Sequence, residues 1–212
     1  MKKTAVLSLL LLLIASVGSC AYEPLDEHIY LQGITYTGDY YEELCVPANA
    51  MATLTGEEPT ESNCQSGFVY LLADYADAGD EPYVHFTFQL PHSYKEGTSI
   101  TPNVRFIFNS DQVNTVVRWR MSYSWANIGD PFNVSLNTWA NSTPSNNDGL
   151  NQQITEFTPW SGTGKEIGST VMCYLQRNSS SVSDNYTDTV ILVSAGILYQ
   201  VDSPGSTGKW IK

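Results

Sequence analysis

The stretch 116–125, VVRWRMSYSW, constrains the fold more than any other part of the chain. Its residues alternate with a period of two: Val117, Trp119, Met121, Tyr123 and Trp125 fall on one side, and Arg118, Arg120, Ser122 and Ser124 on the other. Successive side chains of an extended backbone leave opposite faces, so this is a strand with one buried face. Its indoles and phenol are large surfaces that have to meet a facing layer. A second sheet or a partner chain must lie opposite, and residues 189–201 and 167–175 are expected to supply it. Arg118 and Arg120, on the polar face, are expected to bridge acids on neighbouring strands.

The rest of the chain reads in the same way. Residues 83–90 place Phe86, Phe88 and Leu90 on one face and His85, Thr87 and Gln89 on the other. Residues 103–108 turn Val104, Phe106 and Phe108 inward, and 167–175 do so through Ile167, Ser169, Val171, Cys173 and Leu175. The last strand, 189–201, carries Ile191, Val193, Ala195, Ile197, Tyr199 and Val201 on one side. Residues 68–74 form a continuous apolar run, while 132–139 and 150–157 alternate more weakly, the latter through Leu150, Gln152 and Ile154. Residues 38–51 run into the sheet, with Pro47 at an edge or strand end, and 22–37 form an arm or a short first strand. Polar stretches at 55–67, 91–102, 140–149 and 178–185 read as loops, and any specificity is expected in the last three. No helical period follows the N-terminal segment. Eight or more strands joined by turns predict an all-β chain: a β-sandwich of jelly-roll type over 40–212, behind a signal and arm segment.

Residues 1–20 have the form of an export signal: Lys2 and Lys3, an apolar run from Val6 to Ile14, then small residues up to Ser19. The run is short for a membrane span. Val17-Gly18-Ser19-Cys20 resembles a bacterial lipobox, which makes Cys20 a lipidation candidate; ordinary cleavage nearby and an uncleaved apolar N-terminus are the alternatives. Residues 21–39 then form the arm. The formal net charge is -12, and the only arginines are Arg105, Arg118, Arg120 and Arg177. A nucleic-acid partner would therefore lack its electrostatic attraction, and an anionic membrane would repel the chain. Cys45 and Cys64 are a candidate disulfide, worth about 3 kcal/mol by loop entropy, which leaves Cys173 as a buried thiol. No C-x-x-C spacing is present, so zinc and redox motifs are absent.

Few constellations carry chemistry. Gly162-Thr163-Gly164-Lys165 lacks the glycine and the hydroxyl residue that a phosphate loop needs, since Pro159 and Glu166 stand there; it reads as a tight turn. There is no G-x-S-x-G elbow, and three histidines give a Ser/His/Asp hydrolase little to draw on. His85 and His92 lack a third metal ligand. The acidic turn Asp74, Asp77, Asp80 and Glu81 departs from calcium-loop spacing. Glu42, Glu43 and Glu156 are candidate carboxylates for glycoside hydrolysis. Trp139 and Trp160 lie beside loops and are the candidate platforms for stacking on sugar rings, although tryptophan more often wedges between sheets.

Several blocks taken together resemble a family of tailed-phage and prophage proteins: QLPHSYKEGT at 89–98, W-x-M-x-Y-x-WANIG within 119–129, ITEF at 154–157, GTGKEIGS at 162–169 and NYTDTVILVSAGILYQVDSPGS at 185–206. Members carry a P-H-x-H-W segment where this chain has Pro102, Asn103, Val104, Arg105 and Phe106, so any role of those histidines does not transfer. The resemblance implies a non-enzymatic virion structural or attachment component of fibre, spike or head-surface type. It would be cofactor-free, a homo-oligomer with a trimer as the form to test, and in contact with other virion proteins or a host surface glycan. An export signal fits the cell envelope better than a virion. The second reading is accordingly an exported or lipid-anchored carbohydrate-binding β-sandwich with Trp139 or Trp160 as its platform.

Overall fold

The computed structural model describes residues 39–53, 60–64, 68–73, 82–133, 135–144 and 149–202, with only the backbone course given for 60–64 and 68–73. The expected signal, Cys20, the arm up to residue 38 and the acidic turn 74–81 lie outside the described residues. The strands are β1 (Tyr40–Pro47), β2 (Thr60–Cys64), β3 (Phe68–Ala73), β4 (Tyr83–Gln89), β5 (Thr101–Phe108), β6 (Val117–Ala126), β7 (Leu136–Ser142), β8 (Gln152–Glu156), β9 (Thr170–Arg177) and β10 (Val190–Val201), with a single 3-10 turn at Ala48–Ala50. They form two antiparallel sheets. The larger runs β2-β3-β10-β5-β8, with β1 also on β10, and the smaller runs β4-β9-β6-β7. The chain changes sheet at every connection from β3 to β6 and again from β7 to β10, which gives the β-sandwich its jelly-roll-like path.

The alternation over 116–125 is realised in β6: Val117, Trp119 and Met121 are fully buried and Trp125 nearly so. The facing layer comes from β5 and β10. Residues 167–175 do not contribute to it as expected, because β9 pairs with β6 inside the same sheet, Met121 opposite Leu175 and Tyr123 opposite Cys173. Phe106 of β5 meets Trp119 at 5.1 Å between ring centroids, and Phe108 continues the seam to Tyr186 at 5.2 Å. At the other end Tyr94, buried in the 91–102 connection, sits 6.4 Å from both Trp125 and Tyr199.

Three further expectations are corrected. The polar segment Thr60–Cys64 is a strand, zipped to β3. In β10 the register against β5 shifts between Leu192 and Ser194, so the core-facing positions are Val190 and Leu192 before the bulge and Ala195, Ile197, Tyr199 and Val201 after it. The single face drawn from Ile191 to Val201 therefore holds only beyond the bulge. In β8 the inward positions are Gln153 and Thr155, and Leu150 and Ile154 are exposed. Thr155 shares a hydrogen bond with Ser142 of β7, which carries β7 into what reads as the loop 140–149.

The 178–185 connection is tied into the core by a buried ion pair. Arg177 Nε donates to Asp184 Oδ2 at 3.0 Å and Nη2 to Oδ1 at 2.8 Å, while Nη1 reaches the Asp188 carbonyl at 2.7 Å and Nη2 also reaches that of Tyr186. The Arg118 backbone N–H adds a bond to Asp184 Oδ2 at 2.9 Å. Both side chains are essentially inaccessible. A buried pair of this kind contributes little over a matched apolar pair, but removing one partner strands a charge out of water. Arg177→Leu is predicted to cost about 3–5 kcal/mol. The change reads out as a lower urea midpoint with an unchanged slope.

Candidate functional site

Pairing in the smaller sheet decides what its outer face presents. Across β4, β9, β6 and β7 the outward rows are Tyr83–Gln176–Arg120–Trp139 and His85–Tyr174–Ser122–Asn137, followed by Thr87–Met172–Ser124, with Arg118 opposite Asn141 at one end. The rings and guanidiniums in these rows join into a stripe. Arg118 and Arg120 lie over the Trp139 ring at 4.8 and 5.5 Å, and Arg120 also lies 5.3 Å from the Tyr174 ring. Tyr174 meets Tyr83 at 5.7 Å and His85 at 6.1 Å, and Tyr83 meets His85 edge-on at 5.0 Å. Each guanidinium–ring contact contributes on the order of 0.5–2 kcal/mol, and together they hold a line of rings and guanidiniums across the four strands.

Beside the stripe runs an open groove of about 480 Å³. Its accessible hydroxyls are those of Thr87, Ser124 and Ser135, Ser122 lies fully buried at its floor, and Tyr174 and His85 stand on its flank. Ala52 closes the β4 side through reciprocal backbone bonds with His85, at 2.7 and 2.9 Å. Ser122 Oγ donates to the Asn137 amide oxygen, which also accepts from Arg120 Nη2 at 3.2 Å. A second hollow, also about 480 Å³, adjoins at Tyr123 and Ser124 and extends towards Asp130 and Lys165.

No family model matches this sequence, and no curated protein does. The likenesses found are to solved structures. One is "Xyl-CBM35 in complex with glucuronic acid containing disaccharide", at TM-score 0.40 and 12% identity over 76% of this chain and 99% of that one. A family 35 carbohydrate-binding module from Clostridium thermocellum gives TM-score 0.38 and 11% identity over 73% and 97%. Dimeric latent PorU from Porphyromonas gingivalis gives TM-score 0.35 and 13% identity over 80% and 13%. TM-scores of this size carry no inference about ligand or activity.

The two tryptophans singled out as platforms part company. Trp139 is 41% exposed on β7, as a platform requires, but guanidiniums lie over its ring. Trp160 is only 1% exposed: it stacks on Tyr123 at 3.7 Å and 12°, and its Nε1 donates to Thr138. It is a core wedge and offers no face to a ligand. Arg118 and Arg120 were expected to bridge acids and instead stack on rings, because their cross-strand neighbours include no Asp or Glu. Tyr83 and Tyr174 are the candidate site residues that reading the sequence alone misses. Their signal, an aromatic at polar-face parity, becomes visible only once β4, β9 and β6 are paired.

The remaining candidates resolve as structural. Lys165 Nζ donates to the Trp125 carbonyl at 2.7 Å, and Gly162 passes so close to Thr98 that an added Cβ would sit 1.7 Å from its carbonyl oxygen. GTGK is thus a turn, with Gly164 at φ +71°. Cys45 is a free thiol that accepts from Arg105, the side chain of its candidate partner Cys64 is not among those described, and Cys173 is a free, buried thiol. Among the described residues no three His, Cys, Asp or Glu side chains converge, so neither His85 nor His92 gains a metal-binding partner set. Glu156 ends β8. Glu42 accepts from Tyr199 at 2.6 Å and Ser93 at 3.2 Å.

Glu43 accepts from Arg105 at 2.5 Å and Asn103 at 2.8 Å. Partial burial pushes the Glu43 carboxyl up, but these two hydrogen bonds and the Arg105 charge outweigh it and hold the group below its ordinary value. A depressed folded value contributes stability that is present above the unfolded value and lost as pH falls through the folded one. Glu43→Gln is therefore predicted to flatten the fall in urea midpoint below about pH 4.3, the ordinary glutamate value. Wild type and variant compared at neutral and acid pH check this.

Proposed function

We propose that the protein binds carbohydrate, seating a glycan chain in the groove across the outer face of the smaller sheet. The observation that carries this is the pairing of an open, hydroxyl-lined trough with a stripe of rings on its flank. A sugar ring presents C–H faces and hydroxyl edges. Tyr174 offers a surface for the first, while Thr87, Ser124 and Ser135 offer donors and acceptors for the second. The groove is shallow and continues into the hollow towards Asp130, which suits a stretch of chain better than one engulfed sugar.

Binding rather than cleavage is the better reading, because the outward positions of β4, β9, β6 and β7 hold no carboxylate and hydrolysis of a glycosidic bond needs two. Export by the N-terminal signal would bring such a module to envelope or extracellular glycans. Nothing in the described residues favours the virion component reading over this one.

A glycan array followed by calorimetry on the hits tests the proposal. Tyr174→Ala is expected to weaken binding by at least about tenfold, or about 1.4 kcal/mol, without lowering the unfolding midpoint by a comparable amount. Trp160→Ala is expected to act through stability instead, since its ring is buried. A folded protein that binds nothing on the array would sink the proposal.

A further inference from the structure

We infer that the groove selects acidic glycans, with Arg118 as the receptor for a sugar-borne carboxylate or sulfate and Arg120 as its support. This rests on the carbohydrate-binding reading and adds the ligand's charge to it. The chain has four arginines and a formal net charge of -12. Two of the four are matched to acids within the fold, Arg105 to Glu43 at 2.5 Å and Arg177 to Asp184 at 2.8 Å. Among the described residues, the two on the outer face of the smaller sheet are not. The Nε atoms of Arg118 and Arg120 are buried without a partner, and among the described residues no side-chain acceptor takes a hydrogen bond from Arg118. In so acidic a chain, outward strand positions that hold two arginines and no carboxylate are a local inversion of charge.

The chemistry of the pair fits an oxyanion. Arg118 and Arg120 stand two residues apart on one strand face, so their like charges repel across a short gap that an anion would bridge. Stacking on Trp139 holds each head by its flat side. The N–H edge of a stacked guanidinium is left for a planar or tetrahedral oxyanion, which it takes in a two-pronged grip. Arg120 is further fixed by Asn137 and by Tyr174, which leaves Arg118 as the head with donors to give. Arg120 borders the groove's flank through Tyr174 and Asn137, and Arg118 stands at the next outward position of β6, so a glycan chain that leaves the groove along the stripe would present its acid group to the pair. Non-specific attraction cannot produce the same result, since the chain as a whole repels a polyanion.

The test uses the full chain and matched probes: an oligogalacturonate, the same oligosaccharide with its carboxyls reduced to alcohols, and a sulfated chondroitin oligosaccharide. Calorimetry at low salt is expected to show at least one acidic probe binding about tenfold or more tighter than the reduced one. The advantage should shrink as salt rises, because the contact is only partly buried. Arg118→Gln should collapse the ratio of acidic to reduced affinity to about one, and Arg118→Lys should restore part of it through charge alone. Urea midpoints of both variants confirm that they are folded. Equal affinity for acidic and reduced probes, or a ratio that survives Arg118→Gln, overturns the inference. Binding of neutral glycans alone would overturn the acidic preference while leaving the carbohydrate reading in place, and a blank array removes both.

Discussion

The contact of Trp119 with Phe106 is the one on which the rest of the molecule depends. It fixes which side of β6 faces the larger sheet, and the period of two then forces Arg118, Arg120, Ser122 and Ser124 to the opposite side. Antiparallel pairing carries that choice outward, so Tyr174, His85, Asn137 and Trp139 fall into the same outer rows. The aromatic seam extends from Tyr186 past Phe108 and Phe106 at one end to Tyr94 and Tyr199 at the other. A one-residue slip of β6 would bury two arginines and expose two tryptophans. The core thus specifies the outer surface.

The two sheets treat charge differently on their outer faces. On the larger one, Arg105 is satisfied by Glu43 and the Cys45 thiol, and Asn103 completes the set. These groups cross-link β1 to β5 over the intervening β10, where Gly196 has no side chain to obstruct them. On the smaller one the cations rest on rings and keep hydrogen-bonding capacity in reserve. The arginine of the larger face is thus held by an acid, and those of the smaller face by rings.

Much of the fold was legible where burial is one-sided. β4, β5, β6 and β9 announce themselves by alternation, and the apolar run at 68–73 announces β3. Thr60–Cys64 did not, because an edge strand formed by Thr, Glu, Ser, Asn and Cys has no apolar period and is recruited by its backbone alone. The bulge in β10 is a single inserted residue, and it leaves no mark in a segment that is apolar on both parities. The site was less legible than the fold. Trp139 and Trp160 both follow polar or turn-forming stretches, and only the packing against Tyr123 and Thr138 tells them apart. Arg118 and Arg120 looked like partners for acids because the chain has many; which neighbours they meet is a matter of strand order, a non-local property.

The position of β10 has a consequence for how the molecule comes into being. β1, the first described strand, lies along the second half of β10, and β3 takes up the first half of the same edge. Both early strands thus wait for β10, and the larger sheet cannot close until residues 190–201 are in place. Such long-range pairing makes folding slow and leaves strand edges unpaired in the meantime. Until β10 arrives, β1 and β3 lack their shared neighbour, so the larger sheet assembles around its longest strand.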